Sequence, residues 1–361
     1  MTEQTTSAPH ARRLTIGRYA LYGPIGSGGM ATVHFGRLWG VVGFARTVAI
    51  KRMHSELARD LEFVAMLIDE ARLATRIRHV NVVEIIDVVA VDQELLLVMD
   101  YVPGEALSRL IAESARAGRT IPERTALAIV CDLLQGLQAA HDARDERGQP
   151  LGLVHRDVSP HNVLVGVDGV ARVHDFGTAK AKGRVQNTRE GQIKGRLAYM
   201  APEQVRADVL DARCDVYAAG AVLWELLTLR RLIPSGPEEE MLENILERPL
   251  PDLPEFASSA SPGLEAIVSR ALSRDPKVRF PTARDFAIAL EMAAASARPR
   301  EVGDWVQDLA RDSLLERARI LSRIESTPVD LVESPTAGEP ERDSDDHPTR
   351  VRDQPRSRGK A

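Results

Sequence analysis

His155-Arg156-Asp157-Val158-Ser159-Pro160-His161-Asn162 places a carboxylate and an amide five residues apart in a short segment between two apolar runs. An ordinary Asp titrates near roughly 4. At neutral pH Asp157 is therefore ionised, able to orient a hydroxyl and accept its proton. Asn162 offers a neutral oxygen suited to a hard cation such as Mg²⁺. Thirteen positions on, Asp175-Phe176-Gly177 adds a second carboxylate beside a glycine that lets the backbone turn sharply. Two carboxylates and one amide suit a metal–phosphate complex held in front of a hydroxyl.

This stretch resembles the catalytic loop of eukaryotic-type (Hanks-type) protein kinases, H-R-D-L-x-x-x-N followed by D-F-G. The resemblance implies an α+β, two-lobed fold: a small antiparallel β lobe with one helix, residues 17–102, and a larger, mostly helical lobe, residues 103–297. ATP with Mg²⁺, or Mn²⁺ as the alternative, would lie between them. The implied reaction is γ-phosphoryl transfer to Ser/Thr hydroxyls of protein substrates, with autophosphorylation. In that scheme Lys51 grips the α- and β-phosphates, Glu70 steers Lys51, Asn162 and Asp175 hold the metal, and Asp157 is the base.

Upstream, Ile25-Gly26-Ser27-Gly28-Gly29-Met30-Ala31-Thr32-Val33 separates two β-like runs, Tyr19–Ile25 and Thr32–Arg37. Its glycines would let backbone N–H groups approach phosphate oxygens. Gly26-x-Gly28-x-x-Ala31 also satisfies a dinucleotide-binding fingerprint, but that requires a helix next and an acidic residue about 20 positions on. Here β-branched and aromatic residues follow and the later position is Lys51; a plain Gly-rich hairpin turn is the bland alternative. Against the kinase G-x-G-x-x-G-x-V only the third glycine departs, as Ala31.

Val48-Ala49-Ile50-Lys51 matches the kinase V-A-I-K, although a lysine ending an apolar strand is often only a solvated end. Leu61, Val64, Ala65, Ile68, Ala71, Leu73 and Ala74 recur at helical spacing. Glu70 lies on that helix, where a surface charge pair is the alternative role. Two further strands, Val83–Val89 and Glu94–Tyr101, follow. By the resemblance Met99 guards the adenine pocket, Asp100 and Val102 present hinge backbone groups, Ala49 and Leu164 flank the base, and Glu105 reaches a ribose hydroxyl.

The polar, glycine-rich run Thr178–Tyr199 ends in Ala201-Pro202-Glu203, a match to the kinase A-P-E, and so resembles an activation segment. Thr188 is the first candidate phosphate acceptor and Thr178 the second, with no modification as the alternative; Arg156 would pair with such a phosphate. Asp215, by the same resemblance, braces the catalytic loop, and Arg279 pairs with Glu203. Two positions depart from the Ser/Thr pattern. Ser159 stands where a lysine normally neutralises the transferred phosphate, and Arg196 follows Gly195 where threonine is usual. Arg196 is expected to supply the missing charge; a solvent-facing arginine is the alternative. These departures also support a rival reading, a nucleotide-binding pseudokinase acting as a signalling scaffold.

The 361 residues, 44% hydrophobic and 27% charged, accommodate such a domain plus extensions. A net charge of −5 argues against a nucleic-acid partner. Two cysteines cannot build a disulfide framework and fit a reducing compartment. With no apolar leader or membrane-length span in the sequence, a cytoplasmic enzyme is expected. Residues 1–16 and 326–361 have disorder-type composition. Between them, residues 298–325 form a helical extension read as one amphipathic helix, Val302–Ile324, docking on the large lobe or on a partner. Thr349 in the tail is a candidate docking phosphosite.

Overall fold

The structure, a computed structural model, describes residues 14–40, 44–91, 93–176, 197–251, 261 and 263–326. Its first part is an antiparallel sheet of β1 (Leu14–Ile16), β2 (Tyr19–Ser27), β3 (Ala31–Trp39), β4 (Ala45–Met53), β5 (Ile85–Val91) and β6 (Glu94–Asp100), in the order β1-β2-β3-β4-β6-β5. Side chains alternate across it as strand geometry requires. Val48 and Ile50 pack outward with Tyr19, Leu21, Leu96 and Val98. Ala49 and Lys51, one residue out of phase, therefore face the other side, toward the second lobe.

Helices α1 (Ser55–Ala58) and α2 (Leu61–Ala74) connect β4 to β5. Asp60 caps α2, accepting from the backbone N–H groups of Glu62 and Phe63 at 3.0 and 3.1 Å. Phe63 and Leu67 pack against Ala31, Met53 and Leu95, and Ala71 against Leu97 and Met99. This packing turns Glu70 inward, leaving it 9% exposed.

The large lobe contains a small sheet of β7 (Gly104–Ala106), β8 (Val163–Gly166) and β9 (Ala171–Val173). Its helices are α3 (Leu107–Arg116), α4 (Glu123–His141), α5 (Pro202–Val205), α6 (Arg213–Thr228), α7 (Glu238–Leu246), α8 (Leu264–Ala271) and α9 (Ala283–Ala293). Buried on nearly every side, α6 forms the centre against which α4, α8 and α9 pack. Gly136 lets α4 run close under the small lobe's connection, since a Cβ there would stand 2.4 Å from the Asn81 carbonyl oxygen. Both cores fit a protein-kinase fold.

Two parts differ from expectation. Leu14–Ile16, within the stretch expected to be disordered, is a short edge strand, because Gly17 at φ 55° closes a turn that pairs Ile16 with Tyr19 and Leu14 with Leu21. The extension is two helices, α10 (Pro299–Leu309) and α11 (Arg311–Ser326), in place of one. Val302, Trp305 and Val306 sink into the large-lobe core, whereas Ile320, Leu321 and Ile324 pack on Ala20, Tyr22, Phe35 and Trp39 of the small lobe. The segment bends at Ala310 to serve both bodies.

Candidate functional site

A cavity of about 680 Å³ lies between the lobes, roofed by β2–β4 and floored by β8 and the His155–Asn162 loop. Of the positions expected to bind nucleotide, all but Thr32 line it. The Thr32 hydroxyl instead lies 3.2 Å from that of Ser27, across the hairpin end. Ala49 and Val33 from the roof face Leu164 from the floor, an apolar slot suited to a flat heteroaromatic ring. At the turn between β2 and β3, the Gly28 N–H donates to the Ala31 carbonyl at 2.9 Å, so the loop closes as a tight hairpin.

Lys51 and Asp175, 124 positions apart, meet in this cavity: Lys51 Nζ donates to Asp175 Oδ2 at 2.6 Å, with both side chains nearly buried. The expected steering residue Glu70 is buried on α2. Among the described residues the ion pair of Lys51 is with Asp175, and Glu70 is not one of the residues that line the cavity. Two buried opposite charges within reach satisfy each other, which neither would do alone in a low-dielectric site.

The floor loop is held in an unusual backbone geometry. Arg156 adopts a φ of 64°, a left-handed region that costs a non-glycine residue about 1–3 kcal/mol, and Asp175, after β9, does the same at 67°. Asp215, at the start of α6, offsets this by accepting from the backbone N–H groups of His155 and Arg156, each at 2.8 Å. His141 Nε2 lies 2.8 Å from the same carboxylate. Burial alone would raise the pKa of Asp215, but the His141 contact, the nearby His155 and the backbone N–H of His155 outweigh it and hold the carboxyl below its ordinary range. On the other side Gln204 Nε2 donates to the Arg156 carbonyl at 2.9 Å.

Asn162 Nδ2 donates to the Asp157 carbonyl at 2.6 Å and to its carboxylate at 3.1 Å. This orientation leaves Asn162 Oδ1 as the atom able to face a cation. The His174 N–H donates to the Asn162 carbonyl at 3.0 Å, stitching the loop to the strand that delivers Asp175. His155 packs edge-on against Phe176 with ring centroids 4.7 Å apart. Asp157, Asn162 and Asp175 thus open into one cavity with Lys51. The donor set fits a hard divalent cation: one amide and one carboxylate, with further positions left to water and phosphate oxygens. Among the described residues no cluster of three His, Cys, Asp or Glu side chains forms an all-protein metal cage.

Several expected positions lie outside the described residues: Arg196, Thr178, Thr188, Gly177, Gly195 and Thr349. Glu105 is described, and it is engaged away from its expected ribose role. Its carboxylate accepts from Ser313 at 2.7 Å and from Arg317 at 2.9 and 3.1 Å. Arg317 lines the cavity and was missed from sequence, because nothing in the spacing of a C-terminal helix relates it to a hinge more than two hundred residues earlier.

The protein kinase domain family matches residues 19–288. Tyrosine-protein kinase MasK of Myxococcus xanthus is 39% identical over 282 residues, covering 76% of this chain and 43% of that protein. Serine/threonine-protein kinase PknB of Mycobacterium leprae is 31% identical over 316 residues, covering 86% of this chain and 47% of that one. The crystal structure of the Mycobacterium tuberculosis PknI kinase domain superposes with a TM-score of 0.59 at 28% identity, covering 78% of this chain and 98% of the solved one. The chain spans about half or less of the length of these curated relatives. No helix among the described residues is long and apolar enough to cross a membrane. Sheet, central helix, floor loop and matched span agree from Tyr19 to Ile288, and this chain belongs to the protein kinase domain family.

Proposed function

We propose that this chain is an active protein kinase that transfers the γ-phosphoryl group of ATP to Ser/Thr hydroxyls of protein substrates, itself included. The observation that carries the reading is the convergence of Lys51, Asp157, Asn162 and Asp175 on one interlobe cavity. Lys51 exchanges Asp175 for the α- and β-phosphates, steered by Glu70 from α2. Asn162 and Asp175 hold Mg²⁺, with Mn²⁺ as an alternative. The cation, when bound, screens the charge of the triphosphate. Asp157 orients the acceptor hydroxyl and takes its proton; such catalysis is largely positioning and electrostatics. Residues Ile25 to Val33 cover the phosphates, Ala49 and Leu164 enclose the adenine beside Met99, and the Asp100 and Val102 backbone reads its edge.

Arg196 compensates for Ser159 at the transferred phosphate, and Thr188, then Thr178, accepts the activating phosphate. The scaffold reading is disfavoured because the lysine, the base and both metal-holding groups are all present. A second acceptor class has one specific observation behind it: MasK, 39% identical, is named a tyrosine kinase. Cys131 and Cys214, both buried and unbridged, support a cytoplasmic setting. The 326–361 tail is the candidate docking segment for a partner. Phosphosite mapping after incubation with ATP, Mg²⁺ and a mixed peptide library tests the reading: phosphoserine and phosphothreonine are expected, exclusive phosphotyrosine would move the chain to the second class, and no product would favour the scaffold.

A further inference from the structure

The extension makes more contact with the hinge than a docked appendage needs. At its start, α10 lies so close to the β8–β9 turn that a Cβ on Gly303 would stand 2.4 Å from the Val167 carbonyl oxygen. Only glycine admits that approach, and it fixes α10 to the large lobe. In α11, Leu314 still packs on the large-lobe core. One turn on, Arg317 Nη1 donates to the Gly104 carbonyl at 2.6 Å while Nη2 donates to both oxygens of Glu105. Ile324, 4% exposed, ends the helix inside the small-lobe cluster with Phe35, Trp39 and, at the hinge, Tyr101. Arg37 donates to the Ile324 and Glu325 carbonyls at 2.7 and 3.1 Å, satisfying the helix's last acceptors.

The face of the sheet that α11 covers is the one that carries Ala49 and Lys51, so the helix continues the cleft's roof past the hinge. Glu105 is saturated: besides Arg317 and Ser313 it accepts from the Ala106 N–H at 3.1 Å, and Arg109 lies 3.5 Å away. A carboxylate has about four lone-pair sites, which these donors occupy. The sugar end of the cavity therefore presents a guanidinium–carboxylate pair instead of a lone acceptor.

We propose that α11 is a brace across the hinge that sets cleft closure, and that Arg317 is its positioning residue, fixing the hinge end of the nucleotide site through Gly104 and Glu105. The inference rests on the kinase reading only in taking the cavity as the ATP site. Undocking α11 leaves the small lobe free to swing, and apparent nucleotide affinity falls with the fraction of molecules that keep the closed arrangement.

The test is direct ATP binding by the full chain without protein substrate, alongside hydrogen exchange at the hinge. Arg317→Ala and Ile324→Asp should each weaken ATP binding by about 5- to 150-fold, the usual span of coupling between sites. Both should raise KM for ATP more than they change kcat, with amide protection lost at Gly104–Ala106. Arg317→Lys should recover part of the affinity, and Arg319→Ala, on the exposed side of the same helix, should change nothing. Wild-type affinity in Arg317→Ala and Ile324→Asp would overturn the brace. A wild-type chain that binds no ATP would instead defeat the kinase reading itself.

Discussion

Lys51 Nζ and Asp175 Oδ2 lie 2.6 Å apart at the back of the interlobe cavity, one from the fourth strand of the small lobe and the other from the far side of the catalytic loop. In the proposed reaction both must serve a triphosphate, the cation on phosphate oxygens and the carboxylate on a metal, so the ion pair must open when nucleotide enters. Until then each neutralises the other. Lys51→Met should therefore do two separable things. It should destabilise the nucleotide-free protein by about 1–3 kcal/mol by removing the Lys51 charge from a nearly buried carboxylate, and it should lower kcat/KM for ATP by about 10²–10³. Urea titration and steady-state kinetics read the two effects independently.

Glu70 gives a contrasting case. Because Lys51 pairs with Asp175 in the described structure, the proposed steering by Glu70 acts at the step where Lys51 changes partners, and Glu70→Gln should lower kcat at least tenfold. Wild-type turnover in Glu70→Gln would remove Glu70 from the mechanism.

Arg279 is bonded through both Nη atoms to Glu203, at 2.6 and 2.7 Å, and its side chain has no exposed surface. Removing one partner of a buried ion pair costs about 3–5 kcal/mol. Arg279→Ala should lower the free energy of unfolding by that amount in a urea titration, and the folded fraction should retain its affinity for ATP. Lysine should not rescue it, since the bond is a two-pronged guanidinium contact.

The floor loop should be acid-sensitive through Asp215. Its carboxyl is held below the ordinary range in the folded protein, where the penalty of burial is outweighed by His141, the nearby His155 and the backbone N–H of His155. The folded pKa being lower than the unfolded one, the ionised carboxylate stabilises the fold above the ordinary Asp value near roughly 4. That contribution is lost as the pH falls through it toward the folded value. Asp215→Asn should be less stable at neutral pH and lose less on acidification. An unchanged acid slope in the variant would contradict the assignment.

Much of this site was legible in the sequence because its parts are local. Gly-rich turns and β-branched runs mark β2 to β4, the phase of Val48 and Ile50 against Ala49 and Lys51 sets which side chains face the cleft, and the catalytic loop declares itself by residue type. What was not legible depends on long-range approach. The partner of Lys51 is chosen by which carboxylate the fold brings nearer, and no spacing encodes that. The edge strand Leu14–Ile16 is too short to alternate visibly. No glycine or proline marks the bend at Ala310, and the apolar residues of α11 announce a buried face without saying which lobe covers it.

The most direct measurement of the central claim is incubation of the purified chain with γ-labelled ATP and Mg²⁺, alone and with a protein acceptor, beside Asp157→Asn. The account predicts label on protein hydroxyls with wild type and a loss of about 10²–10⁴ in rate for the variant, with ATP binding retained in both. Equal labelling by wild type and Asp157→Asn, or none by wild type despite bound ATP, would contradict it.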